Sequence, residues 1–262
     1  MIKEEINFLG DELYRALRNQ RPLPPLTERV PNITLKDAYQ VSLRMVNRRV
    51  EEDGEVIIGK KIGITSEVVQ RMFNVDQPDF GFLTDKMSYP NGAHIPVEGH
   101  LIAPKAEGEI GFRLKKDLVG PGVTEADVLD ATESIMPCFE VVDSRIQDWK
   151  IKIEDTVADN ASCGVFVLGQ NEVDPREIDL PDLRMRVYKN GELISEGKGS
   201  AVQGNPLSAV AWLANTLGEF GIPFNAGDVI LSGSLVPLEP VSAGDEIHLE
   251  LDGIGTASCS FV

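Results

Sequence analysis

The residue pattern of this 262-residue chain predicts an α+β fold. Apolar residues recur at helical spacing near the start and in two later stretches only. From Glu55 onward strand-like runs follow one another with few helices between them. One of those runs is broken at Asn190-Gly191, the strongest short signal for a tight β-hairpin. Strands that succeed one another without crossover helices pair mainly antiparallel.

The elements follow in order. Ile6, Leu9, Leu13 and Leu17 lie on one helical face, and Pro22, Pro24, Pro25 and Pro31 end that pattern. Thr34, with Asp37 three residues on, caps a second helix through Ala38, Val41, Leu43 and Met45. Residues 1–53 therefore read as a helical N-terminal segment and 54–262 as the β-rich body. Within the body, 56–64 is a Gly-punctuated strand and 66–73 a short helix. Residues 108–114, 135–142 and 164–168 are buried strands, 185–195 the hairpin, and 228–232, 246–251 and 257–261 the last strands. One helix starts near Thr124. Another runs from the cap Asn205 and Pro206 to Phe220 and stops at Gly221.

Composition narrows the function. A net charge of −17 argues against nucleic acid and anionic membrane surfaces, which need Lys and Arg. A small anionic substrate stays compatible, because a bound metal reverses the local sign. No run of apolar residues is long enough for a transmembrane helix, and Met1-Ile2-Lys3-Glu4-Glu5 does not read as a signal peptide. Cys138, Cys163 and Cys259 are widely spaced and odd in number, which fits a reducing cytoplasm rather than a disulfide framework or a zinc knuckle.

The most informative residues are three glutamates. Glu107 and Glu109 share one face of a strand. Glu140 lies in the apolar run Phe139-Glu140-Val141-Val142, where a carboxylate needs a partner or a proton. Convergence of the three would suit a hard divalent cation, Mg²⁺ or Mn²⁺. The alternatives are a solvated face, with Glu107 and Glu109 paired to Lys105 or Arg113, and a buried salt bridge from Glu140 to an arginine such as Arg145. In Gly59-Lys60-Lys61-Ile62-Gly63-Ile64-Thr65, alternation puts Lys61 beside Gly59, Gly63 and Thr65, with Lys60 on the other face. Lys61 there either holds a carboxylate, moves protons, or is a surface lysine beside a bend. Asp76-Gln77-Pro78-Asp79-Phe80-Gly81 reads as a polar turn. Asp143-Ser144-Arg145 and Ala158-Asp159-Asn160-Ala161-Ser162 read either as a pocket wall or as a capped loop. Leu231-Ser232-Gly233-Ser234 offers backbone N–H groups to an anion or is a plain turn. His94, His100 and His248 have no metal-ligand spacing, and no nucleophile elbow or dinucleotide fingerprint occurs.

In this order these residues resemble the fumarylacetoacetate hydrolase superfamily: Glu107-x-Glu109, Glu140 about thirty residues later, then the late run from Gly227 to Ser234 with Gly244-Asp245 and Gly253-Ile254-Gly255. The runs 59–66, 77–81, 140–145 and 158–162 are similar to its hydratase/decarboxylase branch of meta-cleavage catabolism. The resemblance covers nearly the whole chain. It implies a mixed, mainly antiparallel β-roll core and an Mg²⁺ or Mn²⁺ site at Glu107, Glu109 and Glu140. The activity it implies is hydration of a 2-hydroxydienoate such as 2-hydroxypenta-2,4-dienoate. Decarboxylation of a 2-oxo-3-enedioate is the same-fold alternative, and a silent subunit that stabilises a partner enzyme is the other. Lys61 and Asp79 are the implied acid–base pair, with Arg145, Ser162 and Ser234 as substrate contacts. Homo-oligomers, and for some members a complex with the sister decarboxylase, belong to the same implication.

Overall fold

The computed structural model describes residues 1–262, apart from the side chains at 67, 68 and 72. Helices α1 (Lys3–Asn19), α2 (Leu26–Arg29) and α3 (Leu35–Asp53) precede strand β1 (Ile57–Gly63). Helix α4 (Glu67–Phe73) leads into β2 (Asp79–Thr84), β3 (Ser88–Tyr89), β4 (Ala93–Ile95) and β5 (Lys105–Leu114). Next come α5 (Glu125–Ala131), β6 (Thr132–Val142), α6 (Ile153–Ala158) and β7 (Cys163–Leu168). The chain closes with β8 (Arg184–Lys189), β9 (Glu192–Lys198), α7 (Pro206–Glu219), β10 (Val229–Ser234), β11 (Glu239–Pro240), β12 (Glu246–Leu251) and β13 (Gly255–Phe261).

The α+β expectation holds. One eight-stranded sheet runs β2-β1-β10-β5-β6-β7-β3, with β11 beside β5, and a five-stranded sheet runs β4-β13-β12-β8-β9. Pairing is antiparallel except for β1 with β10, β3 with β7 and β4 with β13. The large sheet curls until β2 lies against β7. Its outer face packs partly on helices and partly on the second sheet. Ile62, Phe80, Phe112, Phe139 and Ile230 join Val41, Met45 and Leu213, together with Leu249 and Phe261, in one apolar core. The inner face is different. It holds a small separate cluster, Leu83, Met87, Cys138, Cys163, Phe166, Val229 and Leu231, and beside it the charged residues of the site.

The local signals acted as their chemistry requires. Thr34 accepts from Asp37 N at 3.2 Å while Asp37 accepts from Thr34 N at 3.1 Å, and Gly54 at φ 67° closes α3. Asn190 and Gly191 turn the β8–β9 hairpin with φ of 54° and 83°. Helices α1 and α3 pack on each other, α3 packs on α6, and Tyr39 of α3 stacks on Phe80 of β2 at 4.2 Å. One segment differs from expectation. The polar turn at 76–81 is shorter than its sequence suggests, because β2 already begins at Asp79. The alternation Asp79-Phe80-Gly81-Phe82-Leu83 is strand patterning that the preceding Asp-Gln-Pro obscures.

Candidate metal and acid–base site

Register brings the glutamates together. Glu107 of β5 stands directly opposite Glu140 of β6, and Glu109 is two residues further along the same face. Like charges directly opposite on a sheet repel. Yet one ligand atom from each of Glu107, Glu109 and Glu140 lies within 4.8 Å of the others. Glu109 and Glu140 are fully buried, and Glu107 is half-buried. Neither basic residue that might have paired Glu107 and Glu109 does so. Arg113 binds Glu172 at 3.0 Å, and the Lys105 ammonium sits over the Trp149 ring at 4.2 Å.

Lys61 enters the same space from β1. Its ammonium stands 3.1 Å from Glu140 Oε1. Lys60, on the opposite face, is taken up by Asp228 and the Phe224 ring, so the alternation read from the sequence separates the two lysines as expected. Asp79, at the start of β2, pairs in register with Gly63. The glycine is required by that approach: a Cβ at residue 63 would lie 2.3 Å from Asp79 Oδ1 and 3.4 Å from Lys61 Nζ. The run 231–234 does offer a backbone N–H to an anion, and the anion is the protein's own: Gly233 N donates to Glu109 Oε2 at 2.8 Å. Ser234 donates to the Val236 carbonyl at 2.5 Å and accepts from Val236 N at 3.3 Å.

Burial first, then the charge of Glu140, raises Glu107 to about 8. Burial and then Glu140 and Glu107 hold Glu109 well above the usual carboxylate range. Burial likewise lifts Asp79 to about 6 despite Lys61. At Lys61 burial pulls down, but Glu140 and Asp79 outweigh it, and the ammonium is held above its ordinary value. Glu109 Oε1, both oxygens of Glu140 and Asp79 Oδ1 are buried without a hydrogen-bond partner. Orphaned carboxylate oxygens at this density are costly unless something positive meets them. The donor set, all oxygen and anionic, fits a hard divalent cation.

Arg145 and Ser162 make their hydrogen bonds within the 143–163 region. Arg145 is fully buried, binds Asp159 Oδ1 at 2.5 Å, and donates to the carbonyls of Asp143, Cys163 and Asp159. Ser162 bonds Asp159 Oδ2 at 3.2 Å and Thr156 Oγ1 at 3.3 Å. Both residues lock the loop between α6 and β7, the capped-loop alternative of the sequence reading. The sequence reading missed Cys163. Its thiol is fully buried, and burial followed by the charge of Glu140 pushes it up, so it stays neutral. The available signal was its place directly before the apolar run 164–168. A surface concavity of about 570 Å³, lined by His94, Tyr188, His248 and Glu250, lies on the outer face of the five-stranded sheet, away from the carboxylates.

Comparison with known proteins agrees with this geometry. A 2-hydroxyhexa-2,4-dienoate hydratase of Comamonas testosteroni is 60% identical over 260 residues, 99% of this chain and 98% of that protein. A 2-hydroxypent-2,4-dienoate hydratase of Pseudomonas putida is 62% identical over 222 residues, 85% of this chain and 100% of that protein. Among solved structures, 4-oxalocrotonate decarboxylase from Pseudomonas putida G7, complexed with magnesium and adipate, superposes with a TM-score of 0.96 at 37% identity, covering 100% of this chain and 99% of that one. Residues 60–262, which carry Lys61, Asp79 and all three glutamates, match the model of the fumarylacetoacetate (FAA) hydrolase C-terminal family, and the chain belongs to that family.

Proposed function

We propose that the protein is a divalent-cation-dependent hydro-lyase that converts 2-hydroxypenta-2,4-dienoate to 4-hydroxy-2-oxopentanoate. The observation that carries this reading is the cluster of Glu107, Glu109 and Glu140, whose buried oxygens Glu109 Oε1 and Glu140 Oε2 have no hydrogen-bond partner and whose Glu140 Oε1 meets only the Lys61 ammonium. The hydratase relatives at 60% and 62% identity support it over the decarboxylase, which is 37% identical.

Glu107, Glu109 and Glu140 would hold the cation, Mg²⁺ or Mn²⁺. When bound it supplies a Lewis acid for the adjacent oxygens of an α-oxo acid. The chain's own residues handle protons and charge. Overall, the dienol ketonises to its 2-oxo-3-enoate form and one water then adds across C3 and C4. The C2 hydroxyl loses a proton and C5 gains one. Water then adds at C4 with loss of a proton, and C3 gains one. Asp79, raised to about 6 and with Oδ1 unpartnered, takes and returns protons near neutral pH. Lys61 stays an ammonium and either holds the substrate carboxylate or donates a proton beside it. Gly233 N–H fixes Glu109 through Oε2 and leaves Oε1 for a ligand.

The reading includes a homo-oligomer acting in the cytoplasm. Among the described residues, no helix is long and apolar enough to cross a membrane. Incubation of purified protein and Mg²⁺ with 2-hydroxypenta-2,4-dienoate should consume the dienol chromophore and yield the 4-hydroxy-2-oxo acid. Release of CO₂ from a 2-oxo-3-enedioate, without consumption of the dienol, would establish the decarboxylase instead.

A further inference from the structure

Strand β2 ends the order of the large sheet, so one of its edges has no strand partner. That edge is nevertheless satisfied at Phe82. Its backbone N–H donates to Asn160 Oδ1 at 2.8 Å, and its carbonyl accepts from Asn160 Nδ2 at 2.9 Å. One side-chain amide thus makes both bonds that a neighbouring strand would make. The loop that presents Asn160 is held in an unusual conformation: Asn160, Ala161 and Ser162 have φ of 55°, 49° and 51°. Side chains seldom adopt this region in succession, and it persists only where surroundings impose it. Here the surroundings are the buried Arg145–Asp159 pair, closed at both ends on the same loop. Contact with β2 is tight, since a Cβ at Gly81 would lie 2.5 Å from the Asn160 carbonyl oxygen.

Asp79 is the first residue of β2, three positions before Phe82, and its place opposite Gly63 depends on where β2 lies. The metal-ligand candidates stand on β5 and β6 instead. We propose that Asn160 is a positioning residue for the reaction: its amide clasps the free edge of β2 and so sets Asp79 against Lys61, without touching the substrate or the cation ligands. The inference rests on the acid–base reading of Asp79.

A double-mutant cycle on the full-length protein tests it. Asn160→Ala should lower kcat by roughly ten- to a hundredfold, as misplacement of a reacting group by an ångström does. KM should change little, and Mg²⁺ affinity measured by calorimetry on chelator-treated protein should stay within about twofold of wild type. In an Asp79→Asn background the same change should cost no further kcat, since residues that act as a unit are not additive. Multiplying losses in the double variant, or an undiminished kcat in Asn160→Ala, would overturn the assignment. Wild-type kcat in Asp79→Asn alone would instead remove the acid–base reading and the positioning role with it. If Asn160→Ala does not fold, Asn160→Asp keeps the acceptor for Phe82 N and loses only the donor, and the same cycle applies.

Discussion

Two carboxylate pairs in this molecule share one sequence pattern and have opposite fates. Glu107-x-Glu109 lies on β5, and Glu250-x-Asp252 lies at the end of β12. In both, alternation sets two acids on one side of an extended chain. At the second pair Arg186, opposite Glu250 in register, reaches both acids: Nε to Glu250 Oε2 at 3.0 Å and Nη2 to Asp252 Oδ1 at 2.8 Å. At the first pair the residue opposite Glu107 is another glutamate, and the nearby Arg113 and Lys105 have partners elsewhere. Spacing alone does not mark a site. What distinguishes this one is burial together with a charge balance that the chain leaves open.

The largest expected effect tests that distinction directly. Glu109→Gln should reduce turnover by at least about a hundredfold and abolish measurable Mg²⁺ binding, with the fold retained. Glu250→Gln should keep kcat within about twofold of wild type. Equal losses in the two variants would remove the difference between the pairs.

The second test concerns burial of charge that the chain does balance. Arg145 and Asp159 form an ion pair with both side chains fully buried. Arg145→Met leaves Asp159 inside without its counter-ion, which should cost about 3–5 kcal/mol in urea denaturation. A loss below about 1 kcal/mol would mean that the surrounding donors, Ser144 and Ser162, suffice for Asp159.

A third test uses protons. Without a cation the folded protein holds Glu107 protonated up to about 8, whereas its ordinary value is 4.5. Between those values the folded state binds more protons than the unfolded chain, so this group's contribution to stability falls as pH rises through the window. A bound cation removes that penalty, because it takes the carboxylates ionised. Thermal unfolding with and without Mg²⁺ should therefore show a stabilisation that grows by several degrees from about pH 5.5 to about pH 8.5. A gap that stays constant or narrows would contradict the shared cation.

Much of this was legible in the chain. The helical start, the caps at Thr34 and Asn205, the Asn190-Gly191 hairpin and the separation of Lys60 from Lys61 follow from local chemistry, which the sequence displays residue by residue. The convergence of Glu107 with Glu109 follows from a period of two. That Glu140 faces Glu107 depends on the β5–β6 register, which only the family resemblance could suggest. Arg145 shows why a polar run is hard to read: a guanidinium there looks the same whether it meets a ligand or, as here, the carbonyls of its own loop. Asn160 stands in the run 158–162, but its bond to a strand edge 78 residues away has no local signature.

The smallest effect is the most exacting for the comparison, because it concerns the pair that should not matter. Arg186, Glu250 and Asp252 are each more than a third exposed. Water screens their attraction, and holding long side chains in one geometry costs entropy that offsets much of the remainder. Arg186→Met should leave the unfolding midpoint within about 2 °C of wild type and kcat unchanged. The methionine keeps the apolar stem, so the variant removes charge rather than packing. Raising the salt concentration should abolish any residual difference between Arg186→Met and wild type while leaving the defect of Arg145→Met intact, since only the exposed charges are screened. A large, salt-resistant loss at Arg186 would show that the outer face of the five-stranded sheet is covered in solution, and exposure would then no longer explain why the two acid pairs differ.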